Sequence, residues 1–554
     1  MILNREGETE VKSDFVSQSS TCRESTIKTN RSIIFFKLLT VAAISLVAIF
    51  VLFTVFSSSY YKNDWRKTVD RGNFPIVYMK DDGLFAKPKN QNANKLSAFV
   101  NDEKSLVKSV EEPHGKHIYF LENFDESKDV GALFVSNNNK DKTMIAYNVS
   151  PAIVSDSQGK GAAYLQNYNN DSNTGELCLY SISGAIVKVD SKVSENEYQY
   201  SQDGKYLLYL KNNENGEKDL MLYNGKEKIC VDSNVMKIVS VFNDMSVMYF
   251  KNNPVNNLDS ELYGWDKEDG TKKIADDVYM GYLEKNEDLG AVSFLTGKTE
   301  QHIFTLNMFS EEKGRSVVDT NVSAVFDTDL THQNFLYAKN KTEKNAMGEL
   351  YIKFGSKTPQ KVSASIYNQS QVLCSDDFKT VVYIENYDIQ NKSGVLCKKQ
   401  FNDGKIISRE KIDENASEFA LSRDGKVCSY LKNLDQKRNG ELYCYKDGKC
   451  VYVSKNVQNY NHKLMMSGKK LYYLKNYDVE NSGGDLYVAN ITGSVVPVKI
   501  DENVLNNFYF RGDDSILYLK DYHVKIARLV HFIMLNPFIL LINLKILSPR
   551  EYHM

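Results

Sequence analysis

A unit of roughly 45 residues recurs along the chain, and this repeat constrains the fold more than any other feature. The clearest copy reads Leu-Tyr-Tyr-Leu-Lys-Asn-Tyr-Asp at 471–478 and then Gly-Gly-Asp-Leu-Tyr-Val at 483–488. We call the Asn or Asp that closes each Tyr-Leu-Lys-Asn-like tetrapeptide the anchor. Anchors lie 40 to 47 residues apart, except for a gap of 88 that predicts a degraded copy near 293–296. The anchors are Asp81, Asn123, Asn167, Asn212, Asn252, Asn340, Asn386, Asn433, Asn476 and Asp521.

One copy, taken from Phe419 onward, alternates short runs of β-branched and aromatic residues with turn residues. An Asp-Gly pair lies between two successive runs at 424–425, and another lies between two runs at 447–448. Gly supplies the positive φ that a tight hairpin turn needs. Each copy therefore predicts a four-stranded antiparallel meander. A two-residue turn at 447–448 would set Cys444 opposite Val451 and Cys450 opposite Tyr445.

A single meander of this length cannot bury a core of its own, so neighbouring copies must stack on one another. Helical repeats would need apolar residues at three- and four-residue spacing, which these segments lack. The sequence therefore predicts an all-β fold, a β-propeller of about ten four-stranded blades. Because propeller rings usually contain four to eight blades, we expect either two rings, 75–297 and 298–521, or one large ring.

Two turns carry a resemblance to a known family. Ser-Gln-Asp-Gly-Lys at 201–205 and Ser-Arg-Asp-Gly-Lys at 422–426 resemble the Ser-Pro-Asp-Gly-Lys hairpin of TolB-type propeller repeats, with Gln or Arg in place of Pro. Other copies are worn to Ser-Gly-Lys at 467–469 or His-Gly-Lys at 114–116. The resemblance implies a propeller fold and an extracytoplasmic location. It implies no activity, because the motif is a turn and the fold serves many functions.

A transmembrane helix is predicted at 33–56, where 24 residues include a single charge, Lys37. A cleaved signal peptide is the alternative, but the apolar run is long and a hydrophilic stretch precedes it. Basic residues flank both sides, so the positive-inside rule barely discriminates between orientations. We expect a disordered cytoplasmic tail at 1–32, a stalk at 57–74 and the propeller outside the cell membrane.

The carboxyl-terminal segment 522–554 departs from the repeat and is hydrophobic and basic. Between Arg528 and Lys545 lie 16 uncharged residues that include His531, Asn536 and Pro537, which is short and polar for a membrane span. A non-native tail, an amphipathic membrane-surface segment and a second span remain open as interpretations.

Two sets of repeated residues are candidates for ligand binding. The loops after the anchors carry an acid or amide two positions on, at Asp125, Asn169, Asp388, Asp435 and Asp478, which fits turn structure better than calcium ligation. Strand tyrosines at one repeat position are expected in the core, namely Tyr164, Tyr209, Tyr249, Tyr383, Tyr430 and Tyr473. We expect Tyr168, Tyr387 and Tyr477 to be more exposed and therefore better candidates for recognition. Seven of the eight cysteines lie in predicted strands as unpaired thiols.

The sequence predicts no catalytic, cofactor-binding or metal-ligating residue. It contains no Gly-x-Ser-x-Gly, no His-Glu-x-x-His and no glycine-rich phosphate loop, and its eight His residues are scattered. A net charge of −2 argues against a nucleic-acid partner. We expect a non-catalytic propeller that binds a protein or glycan at the cell envelope. The alternatives are a glycan-processing enzyme with paired carboxylates and a purely structural scaffold.

Overall fold

The computed structural model describes residues between 76 and 520, all in the compact unit Thr68–Met554. Its internal gaps are 81–82, 89–90, 101–116, 138–140, 157, 253–259, 287–288, 330, 343–346, 368–371, 466, 479–482, 494 and 512–514. The predicted tail 1–32, membrane helix 33–56, stalk 57–74 and terminal segment 522–554 lie outside the described residues. Within the described part every regular element is a strand, and no helix there could span a membrane.

Each of the four sheets is antiparallel, and within each sheet every strand pairs with its sequence neighbours. The first sheet has three strands: β1 (Ile76–Lys80), β2 (Gly83–Lys87) and β3 (Asn94–Ser97). The second has nine: β4 (His117–Asp125), β5 (Val130–Asn137), β6 (Asp141–Ser155), β7 (Gly161–Asn169), β8 (Thr174–Ser181), β9 (Ile186–Tyr200), β10 (Leu207–Asn212), β11 (Lys218–Tyr223) and β12 (Lys228–Asp232).

The other two sheets are longer. The third has ten strands: β13 (Lys237–Val241), β14 (Val247–Asn252), β15 (Ser260–Asp266), β16 (Gly270–Asn286), β17 (Ala291–Thr296), β18 (Phe304–Ser310), β19 (Gly314–Thr328), β20 (Asn334–Lys339), β21 (Met347–Phe354) and β22 (Gln360–Tyr367). The fourth has eleven: β23 (Val372–Cys374), β24 (Thr380–Asp388), β25 (Ser393–Asn402), β26 (Lys405–Leu421), β27 (Val427–Lys432), β28 (Asn439–Lys446), β29 (Lys449–Leu464), β30 (Lys470–Asp478), β31 (Gly483–Asn490), β32 (Pro497–Arg511) and β33 (Ser515–Lys520).

The sheets are built from the predicted four-stranded repeats. The second strand of each repeat precedes or contains the anchor, and we number repeats 1 to 11 by these strands: β1, β4, β7, β10, β14, β17, β20, β24, β27, β30 and β33. Strand β17 covers 291–296, so the degraded copy predicted near 293–296 is confirmed. The boundary proposed between 297 and 298 lies in the hairpin between β17 and β18 and stays a prediction.

One feature of the repeat was not predicted: the fourth strand of a repeat often continues into the first strand of the next. Seven strands of 15 to 17 residues do this, namely β6, β9, β16, β19, β26, β29 and β32. Each has a shift in register on one or both sides of a residue that pairs with both neighbouring strands; in β6 this residue is Val149, opposite Gly131 of β5 and Gln166 of β7. The sequence pattern predicts two separate strands at each of these places.

A left-handed residue precedes each of these shared positions. Asn148, before Val149, has a φ of 51°, a region that Asn and Asp enter more readily than other residues with a Cβ. The same step occurs at Lys192-Val193, Asp277-Val278, Asn321-Val322, Asn415-Ala416, Asn456-Val457 and Asn503-Val504. All seven following side chains are fully buried. The dipeptide therefore changes the direction of the strand and buries its second residue in the core.

Hydrophobic cores lie between adjacent repeats, as the stacking prediction required. One core joins Leu336 and Leu350 of repeat 7 to Val381 and Cys397 of repeat 8. The strand tyrosines fill these cores: Tyr164, Tyr209, Tyr249, Tyr383, Tyr430 and Tyr473 are all among the largest fully buried side chains, which confirms their predicted role. Extensive contacts between described strands join the same or adjacent repeats.

The Ser-x-Asp-Gly-Lys motif forms the hairpin turn expected of it. Ser422 Oγ donates to Asp424 Oδ1 at 2.7 Å and accepts from the Val427 amide at 3.0 Å. Gly425 has a φ of 69°, and an added Cβ would lie 2.6 Å from the Thr380 side chain. The motif therefore closes the turn between first and second strands and packs it against the preceding repeat.

The cysteine predictions are confirmed for the seven described thiols. All seven lie in strands and are free, and Cys178, Cys397, Cys428 and Cys444 are buried. Cys444 pairs with Val451 and Cys450 with Tyr445 across the hairpin. The turn residues Asp447 and Gly448 both have positive φ, at 50° and 75°, as a two-residue hairpin turn of this type requires.

Candidate functional site

Four joints between described repeats are closed by the same three polar side chains at equivalent strand positions. At the joint of repeats 6 and 7, the Tyr337 hydroxyl donates to Asp319 Oδ2 at 2.6 Å, and Lys339 Nζ donates to Asp319 Oδ1 at 2.7 Å. We call this set a joint triad. The aspartate comes from the fourth strand of one repeat, and the tyrosine and lysine come from the second strand of the next. Corresponding sets are Asp190–Tyr209–Lys211, Asp232–Tyr249–Lys251 and Asp413–Tyr430–Lys432, with Asp501–Tyr518 at the last joint.

In three of the joint triads, hydrogen bonds favour the ionised form of the aspartate. Burial acts to raise the pKa of Asp319, but hydrogen bonds from Lys339 and Tyr337 outweigh it, so the pKa lies below its usual value. The same balance lowers the pKa of Asp190 and Asp413. Each joint triad therefore contains an ion pair that connects one repeat to the next.

The joint between repeats 7 and 8 has the same strands but different side chains. Ser363 occupies the position of the triad aspartate, because it lies opposite Leu350 as Asp319 lies opposite Leu306. Glu385 takes the position of the lysine, two residues after Tyr383. The fourth strand of repeat 7, β22, also ends here instead of continuing into the next repeat. The triad is thus replaced by a carboxylate with different partners.

Two adjoining clefts open at this joint. One has a volume of about 300 Å³ and the other about 490 Å³, and both are lined by Ser365 and Asn386. We call the two clefts together the joint groove. It is lined by Met347, 361–365, 385–390, Lys399 and Arg409. The residues come from β21, β22, β24, β25, β26 and the loop after β24, so stacking of two repeats forms the site.

Charged groups concentrate in the smaller cleft. Glu385 accepts hydrogen bonds from Ser363 Oγ at 2.8 Å and from Arg409 Nη2 at 2.9 Å. Its carboxylate also accepts from the Cys397 thiol, whose pKa rises to about 12 because of burial and the nearby Glu385. The Lys399 ammonium donates to the Val362 carbonyl. Burial, with the charge of Arg409, lowers the pKa of Lys399.

The larger cleft contains an aromatic and amide surface. The rings of Tyr367 and Tyr387 stack with centroids 5.4 Å apart and planes 4° from parallel. Asn386, Tyr387 and Gln390 line the cleft. Gly394 supports this segment from the next strand, because a Cβ there would lie 2.6 Å from the Glu385 carbonyl oxygen and 3.2 Å from Tyr387 Cα. The glycine permits the close approach that positions Glu385 and Tyr387.

The prediction that three tyrosines are more exposed is wrong for Tyr168, which is buried, whereas Tyr387 and Tyr477 are more exposed than the fully buried strand tyrosines. Tyr168 is only 8% exposed, and its hydroxyl donates to Asn173 Oδ1 at 2.5 Å and Glu195 Oε2 at 2.9 Å. Tyr387 and Tyr477 are half-buried against neighbouring cores. The reason lies in the preceding anchors Asn167, Asn386 and Asn476, which are left-handed and form bulges that turn the next side chain back toward the sheet. Of the three, Tyr387 lines the joint groove.

The acidic residues after the anchors stabilise their own turns. Asp388 Oδ1 accepts from the amides of Gln390 and Asn391 at 2.8 and 3.2 Å, and Asp125 Oδ1 accepts from the Ser127 amide at 3.0 Å. These hydrogen bonds confirm the predicted turn role. Among the residues that the structure describes, no group of three metal-ligating side chains is assembled.

One carboxyl pair bears on the enzyme alternative. Asp244, in the turn before β14, and Glu311, in the turn after β18, are hydrogen-bonded to each other. Burial and Asp244 raise the pKa of Glu311, whereas the pKa of Asp244 is lowered because hydrogen bonds from Ser246 outweigh burial. Glycoside hydrolysis uses carboxyl groups about 5 to 9.5 Å apart, so this pair is too close for that chemistry.

Sequence reasoning missed Glu385, Lys399, Arg409 and Ser363, and a signal for them was present. Where the fourth strand carries Asp, the next second strand carries Lys two residues after its Tyr, as in Asp319 with Lys339. At the joint of repeats 7 and 8 both positions change, to Ser363 and Glu385, and at the joint of repeats 1 and 2 the same positions carry Ser97 and Glu122. A comparison of repeat positions across joints, rather than within one copy, would have marked the joints without the ion pair, that of repeats 7 and 8 among them.

Comparisons with known proteins leave the family open. No family model matches the chain, and no curated protein matches it. Solved structures similar to it include a eukaryotic initiation factor (10% identity, 78% of this chain and 97% of that chain, TM-score 0.38) and dipeptidyl peptidase 4 of Porphyromonas gingivalis (12%, 66% and 66%, 0.37). Another is TolB of Acinetobacter baumannii (12%, 54% and 80%, 0.24). At these identities and TM-scores, we draw no activity or ligand from the likenesses.

Proposed function

We propose that the chain is a non-catalytic binding protein of the cell envelope whose joint groove holds a glycan. One observation carries the proposal: two clefts meet at the joint of repeats 7 and 8, where Ser363 and Glu385 replace the ion pair that four other described joints keep at the same positions. A departure from the repeat that replaces a stabilising ion pair with an open cleft is typical of a functional position.

The side chains of the larger cleft suit sugar hydroxyls. Each hydroxyl donates and accepts hydrogen bonds, and the amides of Asn386 and Gln390 and the hydroxyl of Ser365 offer both kinds of group. Tyr387 adds an aromatic surface beside these polar groups. A few polar groups set around an aromatic and apolar wall are typical of small-ligand sites.

The proposal includes the predicted setting of the groove. Residues 33–56 anchor the chain as a retained transmembrane helix, and the repeats stand outside the membrane, arranged around an axis as propeller blades. The apolar run of 24 residues and the stacking of four-stranded repeats support this setting. Protease treatment of intact cells that make the full chain tests it: digestion of the repeats is expected, and protection would contradict the orientation.

The binding proposal is tested with the full chain in detergent against a panel of envelope glycans. Tyr387→Ala is expected to weaken binding at least tenfold, which corresponds to about 1.4 kcal/mol. Tyr477→Ala is the matched control, because Tyr477 follows the anchor of repeat 10 as Tyr387 follows that of repeat 8, and it should bind as the parent does. Equal effects of the two substitutions would contradict the site.

The same titration, with a parallel set of extended peptides, separates the alternatives. Binding of extended peptides, without binding of any glycan, would indicate that the ligand is a protein and not a glycan. Release of shorter sugars from a bound glycan would favour the glycan-processing enzyme with paired carboxylates. Binding of neither class would favour the structural scaffold.

A further inference from the structure

The smaller cleft of the joint groove contains more positive than negative charge. Lys399 and Arg409 face a single carboxylate, Glu385, which leaves one positive charge among these three groups. The other cation that lines this cleft, Lys361, is already paired with Glu349 at 2.5 Å. Glu385 is also well occupied, since it accepts from Ser363, Arg409 and Cys397. The smaller cleft therefore retains one positive charge that its carboxylate, Glu385, does not balance.

Lys399 is the unusual member of this set. Its side chain is 8% exposed, yet its ammonium donates to a neutral acceptor, the Val362 carbonyl. Burying an ammonium group is unfavourable unless an anion balances it. The lysines of the joint triads, by contrast, are bonded to aspartates, as Lys339 is to Asp319 at 2.7 Å. Lys399 thus lines a cleft without the carboxylate contact that the triad lysines have.

Arg409 completes the arrangement at the mouth of the cleft. Its side chain is 61% exposed while Nη2 remains bonded to Glu385. A guanidinium group has five N–H donors in a planar fork that matches a carboxylate. A buried ammonium and an accessible guanidinium that line one cleft can bind the two oxygens of a single carboxylate.

We infer that the glycan is acidic, and that a carboxylate carried by one of its sugars binds between Lys399 and Arg409. This inference rests on the proposed function and names its substrate class. Sugars of the uronate type have the required chemistry, since they combine ring hydroxyls for the larger cleft with a carboxylate for the smaller one. Glu385 orients Arg409 for this contact and acts as a positioning residue.

The experiment compares each acidic oligosaccharide with its own carboxyl-reduced form, so that size and linkage stay constant. Fragments of polygalacturonate, alginate and hyaluronan are titrated into the full chain in detergent. The acidic form that binds is expected to bind at least tenfold more tightly than its reduced form. This preference should weaken as the salt concentration rises.

Two substitutions assign the preference to the cleft. Lys399→Met keeps the length of the side chain and should abolish the preference, and Arg409→Gln, at a more exposed position, should reduce it. Lys353→Met is the matched control, because Lys353 has the same strand position in repeat 7 and donates to the Lys357 carbonyl outside the groove. Thermal unfolding shows whether each variant is folded.

The outcomes are distinguishable. Equal binding of acidic and reduced forms would overturn the acidic class while the glycan proposal stands. A preference that survives Lys399→Met in a folded protein would place the carboxylate elsewhere and overturn the site. Absence of binding to these pairs and to neutral glycans would overturn both the inference and the proposed function.

Discussion

Two neighbouring joints use the same strand positions for different purposes. Between repeats 6 and 7, Asp319 and Lys339 are bonded at 2.7 Å, with side chains only 15% and 16% exposed. Between repeats 7 and 8, Ser363 and Glu385 occupy those positions, and a cleft of about 300 Å³ lies beside them. In both joints a buried tyrosine, Tyr337 or Tyr383, fills the core below.

The comparison indicates how a repeated fold gains a site without losing its architecture. The positions that stack the repeats stay apolar at both joints. Leu350, in the third strand of repeat 7, and Leu396, in the third strand of repeat 8, are both fully buried. The positions of Asp319 and Lys339, in contrast, carry different polar residues at the second joint. Stacking therefore depends on apolar residues that every repeat retains, and the polar positions are left to serve either stability or binding.

The largest expected difference between the joints comes from deleting one acceptor. Asp319→Ala leaves a buried ammonium and a buried hydroxyl without their acceptor, and we expect a loss of about 3 to 5 kcal/mol in the free energy of unfolding. Ser363→Ala, at the same position in the next joint, removes one hydrogen bond and should cost about 1 kcal/mol. Urea unfolding of the full chain measures both. Similar losses would mean that the two joints do not differ as described.

Replacing a lysine by methionine should have opposite effects at the two joints. Lys339→Met leaves Asp319 with Tyr337 and the Thr320 amide as partners, and should destabilise the protein by about 2 kcal/mol. Lys399→Met removes a buried charge bonded to a carbonyl, and should be neutral or stabilising by about 1 kcal/mol. Thermal unfolding of both variants gives the sign. Destabilisation by both would mean that Lys399 contributes to stability rather than being available to a ligand.

Much of the fold followed from the sequence because the repeat appears many times. The meander, the worn copy at β17 and the Cys444–Val451 register all depend on local patterns that repeat or on a two-residue turn. The kinked strands were missed, although the Asn-Val step recurs, because a left-handed Asn is equally typical of a turn between separate strands, as at Asn234 between β12 and β13.

The candidate site was less accessible to sequence reasoning. Tyr387 was singled out from its place beside the anchor, but its half-buried position results from a bulge that the pattern does not specify. Glu385, Lys399 and Arg409 lie on three different strands of one repeat, β24, β25 and β26, and the pairing of these strands brings them together, with Lys399 directly opposite Arg409. Considered one at a time, these three charged residues do not differ from the other charged residues of the strands.

Gly394 lies at a third-strand position that is also glycine in other repeats, as at Gly175 and Gly484, and here it approaches the segment that contains Glu385 and Tyr387. In Gly394→Ala, the added Cβ would lie 2.5 Å from Ile384 Cγ2 and 2.6 Å from the Glu385 carbonyl oxygen. We expect a loss of about 1 to 3 kcal/mol in stability, together with weaker ligand binding because Glu385 and Tyr387 must shift.

The control for this prediction is Gly493→Ala. No atom lies within 4 Å of the Cβ that would be added there, so stability should change by less than about 0.5 kcal/mol. Urea unfolding and glycan titration of both variants provide the comparison. If Gly394→Ala unfolds as the parent does and binds as well, the groove does not depend on the close approach of β25 to the Glu385–Tyr387 segment.

The smallest expected effect is the response of a joint triad to acid. The pKa of Asp319 is lowered in the folded protein because hydrogen bonds from Lys339 and Tyr337 outweigh burial, whereas an unfolded aspartate titrates near about 3.9. Its stabilisation is therefore fully present above the unfolded pKa and is lost as the pH falls through the folded pKa. The difference in free energy of unfolding between the parent and Asp319→Asn should shrink as the pH is lowered from 6 toward 2. A difference that stays constant over this range would mean that Asp319 contributes through packing rather than charge, and the contrast with the Ser363 joint would then be one of shape.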